Sequence, residues 1–220
     1  MNIEQARFNM IEQQIRPWDV LDAGVLELLA VVKREDFVPA AHKALAFMDT
    51  EIPLGDVSKG QVMLAPRLEA RLLQEANVAR HEKVLEVGTG SGFMAALLGH
   101  RAQRVISTEL DATLAAQASV NLKRAGVLNV TVLNEDGAKG LPAEAPFDAI
   151  VLSGSVETVP EELLQQLKVG GRLAAIVGDE PVMRAQLFTR VSEKDFSTRI
   201  LFDTVAPRLS GFARRNAFAF

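Results

Sequence analysis

Val84-Leu85-Glu86-Val87-Gly88-Thr89-Gly90-Ser91-Gly92-Phe93 is the stretch whose reading decides the fold. Residues 84–87 make a short, mostly apolar strand that runs straight into three alternating glycines. From Phe93 to His100 the chain reads as a helix. Glycine between a strand and a helix lets the backbone turn sharply and approach a ligand with no Cβ in the way.

Downstream, apolar runs and helical stretches alternate. Residues 104–108, 130–133, 147–152 and 172–177 read as strands, the 147–152 run being nearly all apolar, as suits a strand covered on both faces. Residues 111–124, stopped by Gly126, and residues 161–167, closed by Gly170 and Gly171, read as helices. Such alternation implies right-handed crossovers and a parallel sheet. The expected fold is α/β, a Rossmann-like, doubly wound, mostly parallel sheet. Beyond Asp179 the pattern weakens and closing strands are expected.

Upstream the chain reads as a helical extension. Ile3, Phe8, Ile11 and Ile15 form a stripe that ends before Pro17. Asp22 has the character of an N-cap for a helix burying Val25, Leu28, Leu29 and Val32. A loop with Pro39, Pro53, Gly55 and Gly60 leads to a helix opened by Pro66. One domain over 1–220 is expected, divided into a helical and loop region, 1–78, and a core, 79–220.

Composition removes several classes of function. Of 220 residues 48% are hydrophobic and 24% charged, the balance of a folded globular chain. With no cysteine there is no disulfide, zinc ribbon, thiolate nucleophile or iron–sulfur cluster. His42, His81 and His100 are not at metal-ligand spacing, so no metal is expected. A net charge of −4, Lys and Arg scattered except for Arg208, Arg214 and Arg215, no tyrosine and one tryptophan argue against nucleic acid as a partner. Residues 1–16 contain Glu4 and Glu12 and no continuous apolar run, so they do not read as a signal peptide, and no stretch approaches the roughly 18 apolar residues of a membrane span. A soluble cytoplasmic protein, not bound to membrane, is the expectation.

The glycine loop is Gly-x-Gly-x-Gly, neither the Gly-x-Gly-x-x-Gly of dinucleotide enzymes nor a phosphate loop with Gly-Lys-Ser/Thr. Glu109 ends the second core strand, 21 residues after Gly88, where a carboxylate accepts hydrogen bonds from ribose hydroxyls. Asp136-Gly137 follows the third strand, where a carboxylate can accept from an adenine amino group. Glu86, just ahead of the loop, repels a pyrophosphate but suits a ligand with an amino group and a sulfonium. Together these acids point to S-adenosyl-L-methionine as the cofactor.

The sequence resembles the protein-L-isoaspartate O-methyltransferase family. The segment from Val84 to Phe93 is similar to the family's first cofactor motif, Ile106-Ser107-Thr108-Glu109-Leu110-Asp111 to its second, and Asn129-Val130-Thr131-Val132 with Glu135-Asp136-Gly137 to its third. Pro146-Phe147-Asp148-Ala149-Ile150 and the run from Gln166 to Leu173 resemble the later strands. Met10-Ile11-Glu12-Gln13-Gln14-Ile15, Asp36-Phe37-Val38-Pro39 and Ile52-Pro53-Leu54-Gly55 resemble the family's helical N-terminal region. The resemblance covers roughly residues 10–178. It implies that Glu86, Gly88, Thr89, Gly90, Ser91, Gly92, Glu109, Leu110, Asp136, Gly137 and Ser153 hold the cofactor. It also implies that an isoaspartyl residue in a damaged protein or peptide is the methyl acceptor, for repair.

The family's substrate loop typically reads Gly-Gln-Thr-Ile-Ser-Gln-Pro. Here Gly60-Gln61-Val62-Met63-Leu64-Ala65-Pro66 stands in its place, with Leu64 for the serine and Val62 for the threonine. Methyl transfer to a carboxylate needs no strong base, because the nucleophile is already ionised, but the carboxylate still needs donors. Gln61 and Arg67 are the expected substrate-loop donors, with Leu64 at the position of the lost hydroxyl. The altered loop also admits another carboxylate acceptor, another acceptor altogether, or a non-catalytic S-adenosylmethionine-binding protein.

Overall fold

A computed structural model describes residues 2–213. Arg214 and Arg215, noted above for their charge, lie outside the described residues.

At the N-terminus, Asn2 caps α1 (Ile3–Met10) by accepting from the amides of Glu4 and Gln5. The chain stays helical past the end of α1, as a π turn over Ile11–Ile15 and a 3-10 turn over Arg16–Trp18, so Pro17 sits inside the last turn instead of beyond it. Proline at the second position of a turn loses no needed amide bond, which is why the chain tolerates it there. Asp22 caps α2 (Ala23–Val31), its Oδ1 accepting from the Val25 amide at 2.8 Å. The proline- and glycine-rich loop contains a small antiparallel pair, β1 (Ile52–Pro53) and β2 (Val62–Met63). Then α3 (Pro66–Ala76) runs to Asn77, which closes it in the left-handed region at φ 43°.

The core elements follow as β3 (Lys83–Val87), α4 (Phe93–Arg101), β4 (Arg104–Thr108), α5 (Ala112–Arg124), β5 (Val130–Leu133), β6 (Phe147–Val156), α6 (Glu161–Gln165), β7 (Leu167–Asp179), β8 (Val182–Arg190) and β9 (Phe196–Thr204). Among the described residues seven strands form one sheet in the order β5-β4-β3-β6-β7-β8-β9. From β5 to β7 neighbours run parallel; β8 and β9 add on antiparallel, the closing strands expected after Asp179. The strand order reverses at β3, which has β4 on one side and β6 on the other. In open α/β sheets this reversal leaves a crevice at the carboxyl ends of the strands.

Several boundaries differ from the sequence reading. The helix expected over 161–167 stops at Gln165, and Leu167 already pairs with Phe147 as part of β7. The glycines do not close that helix. They form an irregularity inside β7, where the register against β6 shifts between Phe147 and Ala149. A Cβ on Gly171 would come within 2.9–3.1 Å of three backbone carbonyls, those of Lys168, Asp148 and Phe147, so the tight approach requires glycine. Strand β6 also runs four residues further than expected, to Val156.

One buried apolar cluster joins Met10, Ile15, Leu29 and Leu72 of the N-terminal helices to Val84, Val105, Val151 and Ile176 of the sheet. Leu85, Ile106, Ile150 and Leu152 form a second cluster on the other face. Packing on both faces is what makes the central strands nearly continuous apolar runs. No helix among the described residues is long and apolar enough to cross a membrane.

Candidate functional site

A cleft of about 260 Å3 opens at the carboxyl ends of β3, β4 and β6. Its floor is the glycine loop. Gly88 and Gly90 both take positive φ, 92° and 53°, and line the cleft directly. The amides of Gly88 and Thr89 bond back to the Thr108 carbonyl at 2.9 and 3.1 Å, fixing the loop against the end of β4. Gly92, also at positive φ, caps α4 beneath the cleft.

Glu109 stands at the mouth. Its Oε2 accepts from the Gly90 amide at 2.9 Å and its Oε1 from the Asp111 amide at 3.1 Å, so both oxygens are oriented by backbone. Each keeps lone pairs for a hydroxyl ligand. Leu110, half exposed, and Gly137 line the same wall. A Cβ on Gly137 would fall 2.2 Å from Thr108 Oγ1 and 2.7 Å from Val87, so this glycine lets the 136–139 turn pack onto the strand ends. Asp136 caps that turn through the Ala138 amide at 2.9 Å.

Glu86 does not reach the cleft. It is fully buried, with Oε2 accepting from Ser107 Oγ at 2.6 Å and Oε1 from Ser153 Oγ at 2.7 Å. Thr89 extends the chain through Ser107 at 2.5 Å. Burial pushes the Glu86 carboxyl up to about 8; the Ser107 and Ser153 hydroxyls pull it down, and the charges of Glu69 and Glu109 push it further up. Ser153 stands between Glu86 and the cleft and lines the cleft itself. Glu86, expected as a direct cofactor ligand, thus lies under the wall and not in the cleft lining. Thr89 and Ser91 are buried as well, Ser91 holding the Phe93 amide through Oγ and the Asn121 side chain through its carbonyl.

The substrate-loop expectations divide. Gln61 is in the cleft wall, its Nε2 donating to Asp111 Oδ2 at 3.1 Å and its Oε1 accepting from the Asp56 amide at 2.7 Å. It clasps the 54–61 loop to the start of α5. Asp111, which caps α5, is held below the usual carboxylate range chiefly by the Leu114 amide, against desolvation, with the Thr113 amide, Gln61 and Lys59 adding to the lowering.

Leu64 and Arg67, expected at the acceptor, are not among the residues that line the cleft. Leu64 is 4% exposed, within the main apolar cluster, and its carbonyl accepts from Arg34 Nη2 at 2.9 Å. Arg34 is itself buried, paired with Glu69 at 2.6 Å and stacked 5.4 Å from the Phe93 ring. Arg67 is ion-paired to Asp49 and lies 4.3 Å over the Trp18 ring. The carboxylate and the aromatic face hold this guanidinium outside the cleft lining.

Three contributors were not expected as site residues from the sequence. Leu54 reaches within 3.2 Å of where a Cβ on Gly90 would stand. Lys59 adds a cation to the wall, and the 206–212 segment, with Arg208, Leu209 and Ser210, crosses the far side of the cleft.

The family profile for protein-L-isoaspartate(D-aspartate) O-methyltransferase matches residues 5–205. A protein-L-isoaspartate O-methyltransferase from Syntrophobacter fumaroxidans is 41% identical over 179 residues, 81% of this chain and 82% of the relative. One from Geobacter metallireducens is 41% identical over 180 residues, 82% of each. A solved protein-L-isoaspartate O-methyltransferase superposes with a TM-score of 0.78 at 23% identity, over 95% of this chain and 66% of the other. A Plasmodium falciparum structure described as a protein-L-isoaspartate O-methyltransferase, in complex with S-adenosyl-L-homocysteine, gives 0.77 at 20% identity over 96% and 99%. At such identities the two structures establish the fold, and the sequence matches establish the kinship. The chain belongs to the protein-L-isoaspartate(D-aspartate) O-methyltransferase family.

Proposed function

We propose that this protein transfers a methyl group from S-adenosyl-L-methionine to the carboxylate of isoaspartyl residues in damaged proteins or peptides, as a repair enzyme. The observation that carries the reading is the meeting, in one cleft, of the Gly88–Gly90 loop, Glu109 and the loop carrying Gln61. Family membership over residues 5–205 and a structural relative that holds S-adenosyl-L-homocysteine support it.

The cleft suits the cofactor. Positive-φ glycines bring backbone to the cleft lining where its methionine part would rest, and Glu109 offers oriented acceptors to ribose hydroxyls. Gly137 and the Asp136 turn would border the adenine, with Leu110 as apolar cover. Bound there, the cofactor supplies an electrophilic methyl on sulfur. This chain's residues hold the acceptor in line and keep water out, and an ionised carboxylate needs no base.

Labelled S-adenosyl-L-methionine incubated with an isoaspartyl peptide and its aspartyl counterpart tests the reading. Label should enter the isoaspartyl peptide alone. No transfer to it, with the cofactor bound, overturns the assignment.

A further inference from the structure

The donors expected in the substrate loop are otherwise engaged: Gln61 lines the cleft but donates to Asp111. Leu64 is in the core and Arg67 is committed to Asp49 and Trp18. Glu109, Asp111 and Glu135 make one side of the cleft acidic and unwelcoming to an anion, and the cations on the wall are Lys59 and Arg208. Lys59 is 67% exposed and leans toward Asp56 at 3.7 Å, a solvated surface pair.

Arg208 is placed differently. The residues on either side of it are pinned to the fully buried Ser155: the Ser155 amide donates to the Pro207 carbonyl at 2.8 Å, and the Leu209 amide donates to the Ser155 carbonyl at 2.9 Å. The Ser155 hydroxyl adds a bond to the Ala206 carbonyl at 2.8 Å. This fixes the segment across the cleft. The Arg208 carbonyl lies so near Gly60 that a Cβ there would come within 2.7 Å of it, and Leu209 Cδ2 stands equally near the Cβ position of Gly88. Arg208 thus sits between the substrate loop and the glycine loop, the two walls that acceptor and methyl donor must share.

Its guanidinium is anchored at one nitrogen only. Nη2 donates to the Gly178 carbonyl at 2.9 Å and pairs with Asp179. Nη1 is buried and has no hydrogen-bond partner among the described residues. Arg208 is a lining residue of the cleft, and a guanidinium with one nitrogen still unpaired can turn that nitrogen to an arriving carboxylate, for which Arg has the planar fork. We propose that Arg208 is the specificity-determining residue that receives the acceptor carboxylate, an inference that rests on the isoaspartyl reading above.

The test compares the natural protein with Arg208→Ala and Asp179→Asn, measuring kcat and KM for an isoaspartyl peptide, S-adenosyl-L-homocysteine affinity by calorimetry, and Tm. Arg208→Ala should raise the peptide KM tenfold or more while cofactor affinity stays within twofold. Asp179→Asn, which removes the anchoring charge but keeps the Gly178 bond and the cation, should leave the KM within threefold. An active natural protein whose KM is untouched by Arg208→Ala overturns the proposal and leaves the isoaspartyl reading standing. Equal KM rises in both variants, with matching losses of Tm, also overturn it, since Arg208 then only anchors the segment. If Arg208→Ala does not fold, Arg208→Gln, which keeps much of the reach without the charge, carries the same two outcomes. A natural protein that binds cofactor and methylates no isoaspartyl peptide brings down the reading and the proposal together.

Discussion

Ser153 on β6 donates its hydroxyl to Glu86 on the adjacent strand β3 at 2.7 Å, sealing a buried carboxyl beneath the cleft. The carboxyl is pushed up to about 8, burial being the first cause, against an ordinary value of 4.5 in the unfolded chain. Between those two values the folded protein holds a proton that the unfolded chain releases, so stability falls as pH rises from about 4.5 to about 8 and levels off above. Glu86→Gln removes that dependence while keeping groups that can bond Ser107 and Ser153. Thermal melts should show the variant close to the natural protein near pH 4.5 and more stable above pH 8. A gap that narrows as pH rises contradicts the protonated state.

Glu109 is predicted to dominate cofactor affinity among the acids. Its backbone-oriented oxygens are on the cleft wall, whereas Asp136 spends its Oδ1 on the Ala138 amide and is not among the lining residues. Glu109→Ala should weaken S-adenosyl-L-homocysteine binding by ~1–3 kcal/mol, roughly fivefold to 150-fold. Asp136→Ala should cost about 1 kcal/mol of stability through the lost cap and less affinity than Glu109→Ala. Calorimetry on both variants checks the ranking, and a larger loss for Asp136→Ala reverses the placement.

The strands of the core were legible because each is a short apolar run bounded by turn residues, and the cap Asp22 was legible because capping is local. What escaped reading depends on residues far apart in the chain. The β1–β2 pair is two residues long on each side and has no periodicity to detect. The Asp49 that occupies Arg67 is 18 residues away, the Arg34 that holds the Leu64 carbonyl is 30 away, and Ser155, which pins the 206–212 segment, is 51 residues from Ala206. Motif position placed Glu86 next to a ligand, but only packing shows that Ser153 comes between.

Arg34 and Glu69 form a buried pair beneath the substrate loop, and removing one partner should be worse than removing both. Burial lowers the Arg34 guanidinium and raises the Glu69 carboxyl to about 7, with the attraction between them opposing both changes. Their 2.6 Å contact, together with the bond from Arg34 to the Leu64 carbonyl, favours the charged pair. Arg34→Met alone strands a buried carboxylate and should cost ~3–5 kcal/mol, whereas Arg34→Met with Glu69→Leu should cost clearly less than the two single changes added. Urea unfolding of the four proteins measures the coupling, and simple additivity denies it.

Restoring the family's serine should not restore a substrate donor. On the sequence alone, Leu64→Ser with Val62→Thr is the obvious way to raise isoaspartyl activity, since two hydroxyls return. The fold places Leu64 inside the apolar cluster at 4% exposure, so the new hydroxyl would enter a packed core away from the cleft. Leu64→Ser should lose ~2–5 kcal/mol from the cavity, with a further cost if the hydroxyl finds no partner. Val62 is half-buried on the cleft wall, and a β-branched threonine there should cost under about 1 kcal/mol. The double variant should therefore melt well below the natural protein, with kcat/KM on an isoaspartyl peptide no higher. Urea midpoints and peptide kinetics on the two single variants separate the effects. A tenfold gain in kcat/KM from Leu64→Ser would mean that its side chain reaches the acceptor after all.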